Sequence, residues 1–474
     1  MIKITACVIV KNEAQNIGRW LECVRPIADE IIVVDTGSTD NTVELAEQDG
    51  VIVDHFAWCN DFAAAKNYAL SKATGEWIIF LDADEYFSPA TAPNVRKVIE
   101  AYQRNPKIVG IICQLVNIDK DNNNRFSGTA SQVRVFRNLP SLRYVGKVHE
   151  NLVNTQNGDR RFEVSRDLEI YHTGYSSSIQ RQKVERNLQI LLAGGETETE
   201  GNALAMMDCY YGLEDYDKAE QYARRAIKSC LRYIGLETHP YETLISIYVK
   251  KGLLDKALTV IAEAKKAFPF AATFWVYEGI CRYDLKDYLA AEEQFLTAVS
   301  MCQQDQTTEK LRSCLSDNGT NHLPLIYQYF GQLKQLRLDL AGAAEFYFKS
   351  LRLFPYREES LHNLLICLAD VEPAELIDLL NTIYDKQNDA QFLCQVLRPS
   401  KAKQVYIYYA KQGNIHNRIA EYFAAGRIDA AAAQLADDTE RLYSLGLCAA
   451  REMKLPSQCE LWTLLPEKYR QRWG

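Results

Sequence analysis

Two aspartates one residue apart, Asp82 and Asp84, carry the most specific chemical signal in the chain. They follow Trp77-Ile78-Ile79-Phe80-Leu81, an apolar run too short for a typical helix and rich in Ile and aromatics, which predicts a strand buried on both faces. Side chains two apart on an extended segment point to one side, so both carboxylates can approach a hard cation or a diphosphate bridged by one. An acid-rich surface turn would show the same pair, but the buried strand in front of it favours a site. A third carboxylate, Asp35, ends a second predicted strand, Glu30 to Asp35.

The elements that must position these groups alternate. Ile4 to Val10 reads as a strand, and Ala14 to Val24 as a helix with Ile17, Trp20, Leu21 and Val24 on one face. After Asp35, the turn Thr36 to Thr42 offers Ser38 and Asp40 as caps for a helix beginning near Val43. Val51 to Val53 is a short strand and Asp61 to Ser71 a further helix, before the run ending at Leu81. This order predicts an α/β, doubly wound and mostly parallel sheet with its ligands at the C-terminal strand ends, where Asp35, Asp82 and Asp84 fall. A dinucleotide fold would need a glycine-rich turn after the first strand, yet Val8 to Glu13 contains no glycine, and no Gly-Lys-Ser/Thr loop follows any strand.

Composition narrows the class. The 474 residues are 47% hydrophobic and 24% charged, enough for about three domains with full cores. A net charge of -8 without a basic stripe argues against nucleic acid as a partner. No apolar run approaches a membrane span, and the N-terminus enters a strand without a secretory signal, so a cytoplasmic protein is expected. The 13 cysteines include no Cys-x-x-Cys pair and indicate neither a zinc site nor a disulfide framework.

Three motifs in order, Val8-Ile9-Val10-Lys11-Asn12-Glu13, Ile32-Val33-Val34-Asp35-Thr36-Gly37-Ser38-Thr39-Asp40-Asn41-Thr42 and Phe80-Leu81-Asp82-Ala83-Asp84-Glu85, resemble the family-two glycosyltransferases of GT-A fold over roughly residues 1–180. The resemblance implies inverting transfer of a sugar of glucose or N-acetylglucosamine type from a UDP-linked donor, with Mn²⁺ or Mg²⁺. It places nucleotide-sugar contacts at Val10, Asn12, Glu13, Asp35, Asp61, Lys66, Asp82 and Ala83, with the carboxylate of Asp35 at the uracil. Asp82 and Asp84 would meet ribose, metal and diphosphate. The residues allow these roles, since Asp35 can accept from the uracil N–H and a ribose hydroxyl, although it can also serve as a helix cap. Asp61 to Asn67 resembles an Asp-Phe-Ala-x-x-Arg-Asn stretch, with Lys66 replacing the arginine, which keeps the charge and loses the bidentate fork. Asp61 can equally be an N-cap.

Further along, alternation in Val133 to Arg137 puts Val133, Val135 and Arg137 on one side and Arg134 with Phe136 on the other, making Arg134 a candidate pocket residue. Tyr144-Val145-Gly146-Lys147-Val148-His149-Glu150 matches a stretch of these transferases, and inverting transfer needs one group to take the acceptor's proton. Glu150 is the expected base, with His149 the second candidate. His172 ends a predicted strand, where it serves either as a structural residue or as a third metal ligand beside Asp84 and Asp82.

From Ser176 the strands stop. Ala257 and Ala291 are separated by the ~34-residue period of tetratricopeptide repeats, and Trp275 to Gly279 followed by Tyr288 to Ala291 is the best-matched unit. Degenerate units surround Ala219 and Ala226, Gly331 to Pro355, and Ala424 to Ala431. The expected organisation is a transferase domain at 1–180, repeats at 181–355 and further helices at 356–474. As a whole it resembles bacterial peptide and protein glycosyltransferases of the sublancin S-glycosyltransferase type. A helical array suits a peptide or protein acceptor, or a homodimer contact. The alternatives are a transferase for cell-surface polysaccharide and an inactive repeat scaffold.

Overall fold

Apolar runs become central strands when both faces are covered, and the first four runs do so in a computed structural model that describes residues 2–119, 125–155, 161–173, 180–193, 202–229, 236–303, 319–397, 400 and 402–413. The polar tip at 120–124, Gly174 and Tyr175, and the repeat expected at Ala424 to Ala431 lie outside the described residues. Strands β1 (Ile4–Val10), β2 (Glu30–Asp35), β3 (Val51–His55) and β4 (Trp77–Phe80) pair in parallel, with β1 between β2 and β4. Helices α1 (Ile17–Val24), α2 (Thr42–Ala46) and α3 (Phe62–Lys72) link them. The chain then adds β5 (Glu85–Phe87), α4 (Val95–Gln103), β6 (Ile108–Asp119), β7 (Arg125–Arg137), β8 (Leu142–Val145), β9 (Asn151–Asn154) and β10 (Arg161–His172). The eight-stranded sheet runs β3-β2-β1-β4-β7-β6-β10-β5, and β8 pairs with β9 alone.

The parallel pattern holds from β3 to β4. Beyond it the sheet is mixed, because β7 is antiparallel to both β4 and β6, and β5 is antiparallel to β10. On one face, Val8, Val33 and Ile79 pack with Ile17, Trp20, Leu21 and Val24 of α1 and Val95 and Ile99 of α4. On the other, Cys7, Ile32, Ile78 and Phe80 pack with Ala69 and Leu70 of α3 and with Tyr144 and Leu152 of the β8–β9 hairpin. Burial on two faces removes apolar surface worth about 1.5–3 kcal/mol for each large side chain.

Two local expectations need correction. Ser38 does not cap α2, whose N-cap residue Asn41 has no side-chain cap, while Asp40 Oδ1 accepts the N–H of Thr42, the first residue of the helix, at 3.0 Å. Ser38 Oγ instead accepts the Asn12 N–H at 2.9 Å, tying the loop after β1 to the loop after β2. The even alternation expected through Val133 to Arg137 also fails. Ile111 pairs with Val135 while Ile112 pairs with Val133, leaving Arg134 as the extra residue of a β-bulge. Val133 therefore joins Phe136 on one face, and Val135 faces the opposite core.

Helices follow the sheet as α5 (Gln180–Ala193), α6 (Ala203–Gly212), α7 (Tyr216–Lys228), α8 (His239–Lys250), α9 (Leu254–Ala267), α10 (Thr273–Asp284) and α11 (Tyr288–Gln303). The chain divides into two compact units at Asn321 and His322, so the division expected at residue 180 falls inside the first unit. The reason is a shared core in which Val148 and Phe62 of the sheet domain pack with Leu191, Ala205, Met206 and Cys209. The second unit contains α12 (Leu323–Leu336), α13 (Leu340–Leu353), α14 (Glu358–Cys367), α15 (Pro373–Asn381), α16 (Ala390–Leu397) and α17 (Lys403–Gln412). Its own core gathers Tyr347, Leu361, Leu364, Phe392 and Tyr409. No helix among the described residues is long and apolar enough to cross a membrane.

The helical hairpins repeat a common turn. Glu214, Lys286 and Leu338 adopt positive φ, and the aspartate after each accepts a backbone N–H at the start of the next helix, from Lys218 to Asp215, Ala290 to Asp287 and Gly342 to Asp339. Small residues let the paired helices approach. A Cβ on Gly279 would lie 2.5 Å from the Phe295 ring, and one on Gly331 would lie 2.6 Å from Tyr347. Gly279→Ala should therefore destabilise the first unit by about 1–2 kcal/mol, with overpacking outweighing alanine's better helix propensity. Urea unfolding followed by tryptophan fluorescence measures this, and an unchanged or raised midpoint would contradict the packing argument.

Candidate active site

The site forms where β1, β4, β7 and β10 bring their ends together. Asp82 follows β4 with only Leu81 between them, and its carboxylate is shared by two cations. Lys66 Nζ on α3 lies 2.8 Å from Oδ1, and Arg134 Nη2 on the β7 bulge donates to Oδ2 at 2.9 Å. Each cation also holds a second carboxylate. Lys66 Nζ is 2.6 Å from Glu150 Oε1, and Arg134 contacts Glu85 through Nε at 2.7 Å and Nη2 at 2.6 Å. Glu85 Oε2 in turn accepts the Asp82 N–H at 3.0 Å. Glu85, Arg134, Asp82, Lys66 and Glu150 thus form a continuous ladder of alternating charge.

Burial makes this ladder strong. Lys66 is 2% exposed, Glu85 1% and Arg134 8%, so none of them can be hydrated fully. Burial pushes the Asp82 carboxyl up, but Lys66 and then Arg134 more than reverse this and hold it well below the usual carboxylate range. Burial opposes the Lys66 charge as well, yet Asp82 and Glu150 keep its pKa above that of an ordinary lysine. Arg134 is likewise held charged by Glu85 and Asp82 against its burial. The rings of Phe80 and Tyr144, each 5.2 Å from Lys66 Nζ, wall the ammonium in. Asn67 fixes the hairpin that supplies Tyr144, donating to its carbonyl at 2.8 Å and accepting its N–H at 3.0 Å.

Asp84 and His172 lie side by side. His172 Nε2 is 3.4 Å from Asp84 Oδ2, and Nδ1 is 2.9 Å from Asn117 Oδ1 on β6. The Thr173 N–H and hydroxyl both donate to the Asp84 carbonyl at 3.1 Å, fixing the loop to the end of β10. An imidazole anchored through one nitrogen beside a carboxylate suits joint ligation of a divalent cation, so the pair fits the expected metal. Asp82, expected as a further ligand, lines the same cavity, and each of its oxygens accepts from a cation, Lys66 or Arg134. Among the described residues no cluster of three or more metal-ligating side chains is assembled.

A cavity of about 1310 Å³ gathers most of the expected residues. Val10, Asn12, Glu13, Lys66, Asp82, Ala83, Asp84, Arg134, His149, Glu150 and His172 all line it. Asn12 adopts positive φ, with its Oδ1 accepting the Thr39 N–H at 2.7 Å, while the Glu13 N–H donates to Thr42 Oγ1 at 2.8 Å. Two expected contacts are not among the lining residues. Asp35 is 5% exposed and turned to its own loop, accepting from the N–H groups of Gly37 and Ser38 at 3.0 Å, with His55 Nδ1 3.5 Å away. Burial raises the Asp35 carboxyl, but the Ser38, Gly37 and His55 hydrogen bonds hold it below its ordinary value. Asp61 is the N-cap of α3, accepting the Ala64 N–H at 2.8 Å.

Sequence reasoning missed Glu85, whose role depends on the bulge that turns Arg134 toward it. It also missed the far wall of the cavity, formed by Arg186 and Asn187 of α5, Leu204 and Asp208 of α6, and His239 of α8. These side chains belong to the helical array and reach the cavity through the shared core described above. Because Lys66 neutralises two carboxylates at once, Lys66→Met should cost about 3 kcal/mol of stability by leaving Glu150 unpaired and Asp82 with Arg134 alone. Glu150→Gln added to Lys66→Met should then cost less than the sum of the single changes. Urea unfolding of the two single variants and the double variant measures the coupling, and strict additivity would show that the ladder is not continuous.

Residues 5–161 match the model of the family described as Glycosyl transferase family 2. The SPbeta prophage-derived glycosyltransferase SunS of Bacillus subtilis is 33% identical over 192 residues, 40% of this chain and 44% of that protein. A TPR repeat-containing protein of Synechococcus elongatus is 34% identical over 150 residues, 32% of this chain and 35% of that protein. The chain thus spans less than half the length of these relatives. A solved structure of glucosyl-3-phosphoglycerate synthase from Mycobacterium tuberculosis, in complex with Mn²⁺, UDP and glucosyl-3-phosphoglycerate, is 20% identical over 26% of this chain and 46% of that one. Its TM-score is 0.21, an overlap that speaks to neither ligand nor reaction. The chain carries a glycosyl transferase family 2 domain of GT-A fold ahead of its helical array.

Proposed function

We propose that this chain is a metal-dependent, inverting glycosyltransferase that moves a hexose of glucose or N-acetylglucosamine type from a UDP-linked donor to a peptide or protein acceptor. The observation that carries this reading is the shared cavity, lined both by the strand-end acids Asp82 and Asp84 and by side chains of α5, α6 and α8. A site for a small acceptor alone would not need a wall supplied by a helical array.

The geometry supports a division of labour. Asp84 and His172 would hold the divalent cation, which supplies positive charge at the diphosphate as the sugar departs. Lys66 and Arg134 would keep Asp82 ionised and fixed in position where it meets the donor's ribose and diphosphate. Asp35 would accept from the uracil imide using lone pairs left over from its loop contacts. Glu150 is held by Lys66 through one oxygen, and its other oxygen, Oε2, would take the acceptor's proton. The acceptor O–H or S–H then attacks the anomeric carbon as the bond from that carbon to UDP breaks. The result is one displacement with inversion.

UDP release from UDP-glucose and UDP-N-acetylglucosamine, followed with Mn²⁺ present, tests the reading. Asp84→Ala is expected to abolish the metal-stimulated rate, and Glu150→Gln to lower transfer by about 10²-fold or more while donor KM holds. Equal UDP release with EDTA would remove the metal from the account. Unchanged turnover in Glu150→Gln would move the base to another residue, with His149 next in the cavity.

A further inference from the structure

Strand pairing sets Asn117 beside the histidine proposed to hold the metal. His172, the last residue of β10, is in register with Asn117 of β6, on its parallel side, and with Glu85 of β5, on its antiparallel side. Side chains alternate along a strand, so residues in register on neighbouring strands share a face. Asn117 and His172 meet there. Asn117 Oδ1 is 2.9 Å from His172 Nδ1, and the other ring nitrogen, Nε2, is 3.4 Å from Asp84 Oδ2. His172 and Asp84 line the cavity, whereas the half-buried Asn117 is not among its lining residues.

The two nitrogens of an imidazole point away from each other, so each can serve a different partner. A nitrogen that ligates a cation must offer a lone pair, which obliges the neutral ring to carry its one proton on the other nitrogen. An amide oxygen can only accept, so the bond to Asn117 puts that proton on Nδ1 and leaves the Nε2 lone pair on the side of Asp84. Asp84 pulls the opposite way. Its carboxylate is an acceptor too, and a ring protonated on Nε2 would donate to it and be closed to a cation. The distances favour the first arrangement, because 2.9 Å is an ordinary N–H···O bond and 3.4 Å is long for one. Neighbouring ligand atoms on an octahedral cation with bonds of about 2.1–2.4 Å lie about 3.0–3.4 Å apart, so the Asp84–His172 spacing suits shared ligation better than a direct bond.

We propose that Asn117 is a positioning residue of the metal site, accepting the Nδ1 proton of His172 so that Nε2 is presented as the ligand. The inference rests on the reading of Asp84 and His172 as the pair that holds the divalent cation, and adds what makes the histidine competent for it. Asn117 touches neither metal nor substrate in this role and acts through the ring alone.

The test titrates Mn²⁺ into the full chain, with UDP and without it, and follows unbound Mn²⁺ by electron paramagnetic resonance. Asn117→Leu removes the acceptor at similar volume and should weaken Mn²⁺ binding by roughly tenfold or more, as expected when a metal-bound histidine loses the partner of its other nitrogen. Asn117→Asp keeps an acceptor oxygen and should bind Mn²⁺ at least as tightly as the natural chain. Nitrogen NMR of histidine-labelled, EDTA-treated protein at alkaline pH, where the ring is neutral, gives a second readout. The His172 signal, assigned by its loss in His172→Gln, should show the proton on Nδ1 in the natural chain and on Nε2 in Asn117→Leu. If His172→Ala weakens Mn²⁺ binding and Asn117→Leu does not, or if the natural chain carries the proton on Nε2, Asn117 has no positioning role while the metal pair stands. Equal losses in Asn117→Leu and Asn117→Asp would also overturn the role, since packing alone would then account for both. If His172→Ala leaves Mn²⁺ binding unchanged, His172 is not a ligand and both readings fall together.

Discussion

The buried lysine Lys66 holds the site together. It lies between Asp82 and Glu150, and because it is almost entirely buried, its charge must be balanced by protein groups instead of water. That requirement sets the geometry of three separate parts of the chain. Helix α3 must deliver the ammonium, the end of β4 must deliver Asp82, and the loop before β9 must deliver Glu150. Arg134 imposes the same condition on β7, where a bulge supplies the extra residue that reaches both Asp82 and Glu85. A cluster of this kind is costly to assemble and costly to break. It therefore fixes relative positions more firmly than apolar packing alone, which tolerates volume-conserving exchange.

The helical array bears on function through its contact with the sheet domain. Val148, immediately before His149 and Glu150, is buried against Leu191, Ala205 and Met206, so the segment carrying the proposed base is braced by helices α5 and α6. The same helices supply the far wall of the cavity. A change in the first hairpins can thus reach the base through packing without touching the donor site. This arrangement accounts for a first compact unit that extends past the sheet into the array.

Much of the sheet domain was legible in the sequence because its signals are local. The runs Ile4 to Val10 and Glu30 to Asp35 form strands with those bounds, and the acids after β4 line the cavity as their strand-end position required. What was not legible depends on partners distant in sequence. The bulge at Arg134 arises from pairing with β6, so strict alternation misassigned Val133, and Glu85 gains its role only once Arg134 turns toward it. Asp61 offered two readings, and the structure places it as a cap. The pairing of Asp208 on α6 with His239 on α8 joins two hairpins whose periodicity was visible but whose facing residues were not. The mixed right half of the sheet was equally hidden, since nothing in the run Ile108 to Asp119 distinguishes a parallel from an antiparallel neighbour.

If the charge ladder and the Asp84–His172 pair together make a nucleotide-sugar site, calorimetric titration of UDP into the full chain will detect it. One UDP should bind per chain in the presence of Mn²⁺, little or none with EDTA, and the metal-dependent binding should be lost in Asp84→Ala. Binding of UDP that is equally tight with EDTA and in Asp84→Ala would contradict it.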